Sequence, residues 1–290
     1  MRVALLHNAS AGSEDHSDAE LSAVIRRAGH EVVHVARRIR ELAAALHTSP
    51  CDLVVIAGGD GTVGKAACEL AGWQVPLSIL ALGTANNTAR SLRLPSRISK
   101  VVKGWSSARS VPFDLGLVSD GSLRQRFAEA IGWGVFPQAI AQAKLHPRRQ
   151  SVDRTLKRDR KRFRVAAKQA PVRFYGIEVD GRDVSGEYLF VEVMNVPLLG
   201  PRLAVSPTSN PGDGSFEVVL VGAAQRAQLT DLAASGTMPA DTARVERGSN
   251  IRITAGEGML HRDGKLVHHA PGERTFEISV APAAVSYLCP

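Results

Sequence analysis

The feature that most constrains this chain is the alternation, over its first 90 residues, of short apolar runs with stretches of helical spacing. Residues 3–7 form an apolar run that ends in the turn Asn8-Ala9-Ser10-Ala11-Gly12. Residues 18–28 place Leu21, Val24 and Ile25 on one helix face, and Gly29 stops the pattern as a C-terminal cap does. Residues 31–35 predict a second strand and residues 39–46 a second helix. A third strand follows at 52–57, where Leu53-Val54-Val55-Ile56-Ala57 is the unbroken apolar run of a strand covered on both faces. Residues 63–70 predict a third helix and 76–82 a fourth strand. Strands that alternate with helices give a parallel sheet with crossover helices. Such sheets bind ligands at the carboxyl ends of their strands, and the glycine-rich turns of this chain fall there.

After about residue 112 the pattern changes to short alternating stretches at 113–118, 172–179, 187–194, 215–221, 250–254 and 275–280. Turns such as Asp120-Gly121, Asp180-Gly181 and Asp213-Gly214 separate several of them. The expected architecture is an α/β N-terminal domain with a parallel sheet over 1–112, followed by a mostly antiparallel β-sandwich domain over 113–281. Residues 282–290 are expected to rejoin the first domain. A basic insertion at about 144–168 interrupts the second. It holds eleven bases against Asp153 and Asp159, a net +9 in a chain whose total is +8, so the rest of the molecule is close to neutral. If 152–167 is helical, Val152, Leu156, Phe163 and Ala167 share one stripe. A basic helix of this kind suits an anionic membrane surface; the alternative is a stripe docked on the β domain with solvated charges. The lack of interleaved aromatics argues against a nucleic-acid partner.

No apolar run approaches the roughly 20 residues of a membrane-spanning helix. Cys51, Cys68 and Cys289 are scattered without metal-ligand spacing, which predicts free thiols in a reducing cytoplasm. The expected location is cytoplasmic, with peripheral contact at the inner membrane face.

Two turns carry the chemistry. Gly58-Gly59-Asp60-Gly61-Thr62 lies between the third strand and its helix. Glycines let the backbone come close to an anion, and the following helix offers N–H groups and a partial positive charge, so the turn reads as a phosphate cradle. It is not a P-loop, because no Gly-Lys-Ser/Thr follows. Asp60 beside a polyphosphate could hold Mg2+ or a water, take a proton from an attacking hydroxyl, or merely hydrogen-bond its own turn. The second turn, one βα unit later, runs Gly83-Thr84-Ala85-Asn86-Asn87-Thr88-Ala89-Arg90-Ser91-Leu92 and would face the same crevice.

Gly-Gly-Asp-Gly-Thr followed about twenty residues on by Gly-Thr-x-Asn-x-x-Ala-Arg-x-Leu resembles the diacylglycerol kinase catalytic domain family, which includes bacterial lipid kinases and sphingosine kinases. Asn8 to Gly12 resembles its first motif. Phe113-Asp114-Leu115-Gly116 and Ala130-Ile131-Gly132-Trp133-Gly134 resemble the start of its second domain. Asn210-Pro211-Gly212-Asp213-Gly214-Ser215-Phe216 resembles its Asp-Gly turn, and His261-Arg262-Asp263-Gly264-Lys265 sits where the family has Asp-Gly-Glu. The resemblance implies an ATP-dependent, Mg2+-requiring kinase acting on a lipid alcohol. By it, Asn8, Ser10, Gly12, Gly58, Gly59, Asp60, Gly61, Thr62 and Thr84 would hold the nucleotide in a crevice between two domains. Asn210, Asp213 and Ser215 would lie near a Mg2+, and Asp60 and Asp263 are the catalytic candidates.

The chain also departs from the family pattern. Val63-Gly64-Lys65 replaces x-Asn-Glu, Asn86-Asn87 replaces Asn-Asp, and Val35-Ala36-Arg37-Arg38 lacks the usual threonine. Lys265 stands where the family has the glutamate of Asp-Gly-Glu, and a protonated lysine cannot accept a proton. Two other readings follow. One is a catalytically silent nucleotide- or lipid-binding regulator; the other is a NAD kinase, which shares the Gly-Gly-Asp-Gly turn.

Overall fold

The computed structural model describes residues 1–9, 16–121, 124–145, 151–268 and 272–290. The chain folds into two compact units. One comprises Met1–Phe113 with Ala283–Pro290, and the other Asp114–Pro282.

In the first unit the elements are β1 (Arg2–His7), α1 (Asp18–Arg27), β2 (Glu31–Ala36), α2 (Ile39–Thr48), β3 (Leu53–Gly58), α3 (Asp60–Glu69), β4 (Leu77–Ala81), α4 (Asn87–Ser91) and α5 (Ile98–Gly104). β1 pairs in parallel with both β2 and β3, and β3 with β4. All six residues of β3 are buried, as its unbroken apolar run predicts. Leu21 and Ile25 of α1 pack with Val3, Leu5, Leu53, Val55 and Trp105 in one apolar cluster. α1 is closed at its start by a capping box, in which Ser17 accepts from the Glu20 N–H and Glu20 accepts from the Ser17 N–H.

The second unit is entered through β5 (Arg109–Ser119), which forms a hairpin with β6 (Arg124–Phe127). It continues with β7 (Ala130–Gly134), α6 (Val135–Leu145), α7 (Val152–Gln169), β8 (Arg173–Val179), β9 (Arg182–Asp183), β10 (Gly186–Tyr188) and β11 (Phe190–Met194). Then come β12 (Leu198–Leu199), β13 (Leu203–Ala204), β14 (Phe216–Val221), α8 (Arg226–Ser235), β15 (Arg244–Gly248), β16 (Asn250–Ala255), β17 (Met259–Arg262), β18 (Lys265–His268) and β19 (Arg274–Cys289). One sheet has the order β10-β8-β16-β19 and the other β15-β14-β11-β7-β17-β18. Neighbours in both are antiparallel. Ile131, Trp133, Val191, Val193 and Leu260 of the second sheet meet Tyr175, Ile177, Ile251, Ile253 and Phe276 of the first in a shared core. This is the sandwich. The opposite face of the second sheet is covered by α6, α7 and α8. The last residues of β19 return to the first unit, where Tyr287 pairs in parallel beside Leu77.

Several sequence expectations need correction. Asp60, Gly61 and Thr62 are not a loop before the helix but its first turn, because the carbonyl of Gly59 already accepts from Thr62 and Val63 at 2.8 and 3.0 Å. Residues 187–194 are two strands in different sheets. The chain turns the corner at Leu189, whose carbonyl lies against Gly134 so closely that a Cβ there would sit 2.1 Å away. α6 and α8, inside a region read as β, carry no sharp amphipathic signal; they are helices because the outer sheet face needs cover. Of the two readings of the basic helix, its docked alternative holds for the C-terminal half of the stripe, while Val152 and Leu156 are half-buried. Phe163 and Ala167, with Ala166, pack against Phe136 and Phe190, and full burial of a Phe contributes about 1.5–3 kcal/mol.

The three cysteines are free, and no helix among the described residues is long and apolar enough to cross a membrane.

Candidate functional site

The two glycine-rich turns meet at the carboxyl ends of β3 and β4. A Cβ on Gly83 would lie 2.4 Å from the Cα of Gly59, and one on Gly59 would lie 3.0 Å from the Cα of Gly83. The two backbones touch, and only glycine at both positions permits it. The N–H of Leu82 donates to the carbonyl of Gly58 at 3.0 Å, continuing the β3–β4 ladder into the turns. At Gly58 the space for a Cβ is taken by the Thr62 side chain, 2.9 Å away.

Side chains lock this backbone. Asn86 holds a left-handed conformation (φ 56°), which asparagine tolerates better than most residues. Its Oδ1 accepts from the Gly83 N–H and its Nδ2 donates to the Gly83 carbonyl, both at 2.8 Å. Arg90 donates through Nε to the carbonyl of Ala85 at 3.2 Å. Asn8, at the end of β1, donates from Nδ2 to Thr62 Oγ1 at 2.9 Å, and its N–H donates to Ala57 at 3.0 Å. The motif after β1 is thereby tied to the Gly58–Thr62 turn. Ser10 and Gly12 lie outside the described residues.

Asp60 is the first residue of α3, where an acid is favoured by the helix dipole. Its Oδ1 accepts from the backbone N–H of Thr88 at 3.2 Å. The carboxylate reaches across to the second turn and ties α4 to α3. Thr84 lies in the bend between Gly83 and Asn86.

A cluster that sequence reading passed over supports β1 from below. His7 is buried and its Nδ1 lies 2.5 Å from Asp18 Oδ1, while Arg37 donates to Asp18 Oδ2 at 2.9 and 3.1 Å. The His7 hydrogen bond first, then Arg37, hold the Asp18 carboxyl below its ordinary value against the opposing effect of burial. The signal available was a histidine closing an otherwise apolar strand.

In the second unit Asp263 and Gly264 are the two left-handed residues (φ 46° and 70°) of the hairpin turn joining β17 and β18. The Asp263 carboxylate accepts from three consecutive backbone N–H groups, those of Ala128, Glu129 and Ala130, at 2.9, 2.8 and 3.3 Å. Its own N–H donates to the Ala130 carbonyl at 2.9 Å. Burial pushes its carboxyl upward more than these donors pull it down. Asn195 completes the arrangement, donating from Nδ2 to the carbonyls of Asp114 and Ala128, each at 2.8 Å. Lys265 is exposed.

Asn210, Asp213 and Ser215 come together as one turn. Asn210 Oδ1 accepts from Gly212 at 3.4 Å, and Asp213 Oδ1 accepts from both the N–H and the hydroxyl of Ser215 at 3.1 and 2.8 Å. Asp114 grips the turn through the Gly214 N–H at 2.7 Å. Oxygen donors of these types suit a hard cation such as Mg2+. The set does not fit one in this arrangement, because the guanidinium of Arg247 donates to Asp213 Oδ2 at 2.5 Å and to Ser215 Oγ at 2.6 Å. A cation already neutralises the turn's carboxylate. No group of three or more His, Cys, Asp or Glu able to hold a metal occurs among the described residues.

Residues 2–118 match the diacylglycerol kinase catalytic domain family, and residues 149–289 match the YegS C-terminal NAD kinase beta sandwich-like domain. A diacylglycerol kinase of Mycobacterium tuberculosis is 24% identical over 284 residues, which span 92% of this chain and 87% of that protein. A diacylglycerol kinase of Bacillus subtilis is 25% identical over 235 residues, 77% and 74% of the two chains. The crystal structure of a diacylglycerol kinase from Bacillus anthracis superposes with a TM-score of 0.74 at 20% identity, covering 100% of this chain and 97% of that one, a likeness of fold.

Proposed function

We propose, from the match of residues 2–118 to the diacylglycerol kinase catalytic domain family and of residues 149–289 to the YegS C-terminal domain, that this chain transfers the terminal phosphate of ATP to a lipid hydroxyl such as that of diacylglycerol. The main support is the backbone contact between Gly59 and Gly83. It brings bare main chain from two turns to one place at the N-terminus of α3, where a polyphosphate gains N–H donors and a favourable dipole. Asn8, Ser10, Gly12, Gly58, Gly59, Asp60, Gly61, Thr62 and Thr84 hold the nucleotide in this reading. Mg2+ accompanies the phosphates as part of the ATP substrate, and no step is assigned to the Asn210 turn.

Phosphoryl transfer passes through a loose transition state and asks chiefly for positioning and charge neutralisation. The protein's own contribution falls to Asp60. With one oxygen fixed by the Thr88 N–H, the carboxylate has a set orientation from which to take the proton of the attacking hydroxyl. Asp263 acts as a positioning residue that holds the backbone of residues 128–130.

The test is incorporation of labelled phosphate from ATP into diacylglycerol, a sphingoid base and an isoprenoid alcohol. Incorporation into a lipid well above that of Asp60→Asn is expected, and none above that control would end the kinase reading. NAD belongs in the same assay, because the second unit matches a NAD kinase-like sandwich family; phosphorylation of NAD alone would transfer the assignment. Lys265 favours one further reading, a silent regulator. An inert wild type that gains turnover on Lys265→Glu would establish it, and an active wild type would exclude it.

The same proposal places α7 at an anionic membrane surface on the cytoplasmic side. Arg154, Lys157, Lys161, Arg164 and Lys168 are exposed. Their spacing of three and four residues puts them on one helix face, opposite the docked Phe163. Arg158 and Arg162 are instead engaged with Asp159, and Arg160 with the carbonyls of Pro201 and Arg202. With the apolar stripe docked, attraction is electrostatic, about 1 kcal/mol per base near the surface. Liposome binding should rise with anionic lipid and fall with salt. Unchanged binding after charge reversal at Lys157, Lys161 and Arg164 would discard the membrane role.

A further inference from the structure

The Asn210–Ser215 turn lies at the edge of the second sheet, where β14 begins and β15 ends. In the ladder between those strands Glu217 is directly opposite Arg247, so the two side chains leave the same face of the sheet. Strand pairing alone therefore brings a guanidinium to the turn. There it spans two oxygens, with Nη2 donating to Asp213 Oδ2 at 2.5 Å and Nε to Ser215 Oγ at 2.6 Å. The serine hydroxyl in turn donates to Asp213 Oδ1 at 2.8 Å, which closes a ring of charge-assisted hydrogen bonds. Glu217 is buried, and burial pushes its carboxyl upward; Asp213 adds to that push and Arg247 opposes it. One guanidinium serves both acids. Its main chain is held as well: the Arg247 carbonyl accepts from Arg182 Nη2 at 3.0 Å, and a Cβ on Gly248 would lie 2.5 Å from the Val179 side chain.

This is the chemistry of a divalent-cation site carried out by a side chain. A hard cation gathers carboxylate, hydroxyl and amide oxygens and neutralises the acid among them. Mg2+ does so only with near-octahedral ligands at about 2.0–2.1 Å, and it gives up its water reluctantly. A guanidinium is planar, always charged and more weakly hydrated, and it bridges two oxygens without any such shell.

The turn is not isolated. Asp114 accepts from the Gly214 N–H at 2.7 Å, and its own N–H donates to the Pro211 carbonyl at 2.5 Å. The Asp114 carbonyl accepts from Asn195 Nδ2, which also donates to the carbonyl of Ala128. Asp263 holds the N–H groups of residues 128–130. A continuous hydrogen-bonded path thus runs from Arg247 to the hairpin that carries Asp263.

We infer that Arg247 is a built-in cation standing where the family resemblance implies Mg2+, and that it positions, through Asp213 and Asp114, the backbone that Asp263 grips. The inference concerns the second unit alone and does not depend on the kinase reading. It makes that unit indifferent to metal, and it makes the loss of one side chain enough to create a metal dependence.

The test uses the full chain without nucleotide and reads thermal unfolding and amide exchange. Wild-type melting should be the same in millimolar Mg2+ and in EDTA at matched ionic strength. Arg247→Met keeps the aliphatic stem and removes the charge. In EDTA this variant should exchange the Gly214 and Ser215 amides about two- to tenfold faster than the wild type. Mg2+ should restore slow exchange, because the vacated oxygens of Asn210, Asp213 and Ser215 accept the ion. It should also raise the variant's melting temperature by about 3–6 °C at roughly ten times the Mg2+ dissociation constant. Adding Asp213→Asn to the variant should abolish the rescue, which separates this turn from any other Mg2+ site. Arg247→Lys should give an intermediate exchange rate, since a point charge pairs with Asp213 but does not span to Ser215. A merely destabilising change would speed exchange without making it metal-dependent. A wild-type melting shift with Mg2+ that Asp213→Asn removes, or exchange in Arg247→Met that ignores Mg2+, would overturn the inference. If Arg247→Met does not fold in EDTA, recovery on refolding with Mg2+ is the expected result, and no recovery counts against Arg247.

Discussion

The two units build their candidate sites from different material. In the first unit the site is backbone: Gly59 against Gly83, the start of α3, and a few side chains whose task is to hold main chain in place. In the second unit the corresponding features are side chains: an acid gripping three N–H groups, an asparagine bridging two carbonyls, and cavity walls of Trp, Phe and Tyr. Each turn of a backbone site is contiguous in sequence, because only neighbouring residues share one turn, although the two turns that meet here lie one βα unit apart. A side-chain site in a sandwich draws on positions such as Trp133, Phe174 and Met259, which only strand pairing and the packing of two sheets bring together. The first kind fails through a single added methyl group and the second through a single lost polar atom.

The largest expected effect tests whether the first unit carries the chemistry. Asp60→Asn should lower phosphate transfer by about 10²–10⁴-fold, the range for a general base. Its stability should barely change, since the asparagine oxygen can still accept from Thr88. A loss under tenfold would move the chemistry elsewhere. Next, Asp263→Ala should destabilise the second unit by about 3 kcal/mol, because three N–H groups lose a charged acceptor and a residue at φ 46° loses a side chain suited to it. Asp263→Asn should cost about 1 kcal/mol by the same account. Denaturant titration separates the two, and equal costs would refute the three-donor explanation.

Gly83→Ala should cost about 1–3 kcal/mol as an overpacking change and weaken ATP binding. Gly61→Ala, where an added Cβ meets nothing within 4 Å, should instead stabilise by about 0.5–1 kcal/mol, the usual gain for Ala over Gly in a helix. If both behave alike, close approach is not what the glycines are for. The smallest effect concerns Asp18. Its folded pKa lies below the unfolded value, so its contribution is present above about pH 4 and fades as pH falls through the folded pKa. The contribution should be under about 1 kcal/mol. Acid titration of stability should be flatter in Asp18→Asn, and identical curves would remove His7 and Arg37 from the account.

Much of the first unit was legible in the sequence. Five apolar residues from Leu53 to Ala57 could only be a strand covered on both faces, and glycines at 58, 59 and 83 marked where main chain comes close to something. The sequence left the start of α3 undecided, because glycine at 61 reads as a turn although a helix accommodates it. It also could not show that Asp60 reaches the Thr88 N–H, since that bond joins residues separated by a whole βα unit. In the second unit a turn such as that between β8 and β9 was readable from the Asp-Gly pair at 180–181. α6 and α8 were not, because their helical state answers a sheet face that exists only after folding.

The sequence by itself determined the layered plan: parallel strands and helices first, antiparallel strands after, with a glycine-rich turn at a strand end. Periodicity and glycine placement are local properties, and local physics suffices for them. Only the tertiary structure decided that Arg247 closes the Asp213 turn, that Phe163 and Ala167 of α7 face inward, and that the Trp133 N–H is buried without an acceptor among the described residues. Each of these depends on pairing between distant segments, where burial and charge neutralisation are settled jointly.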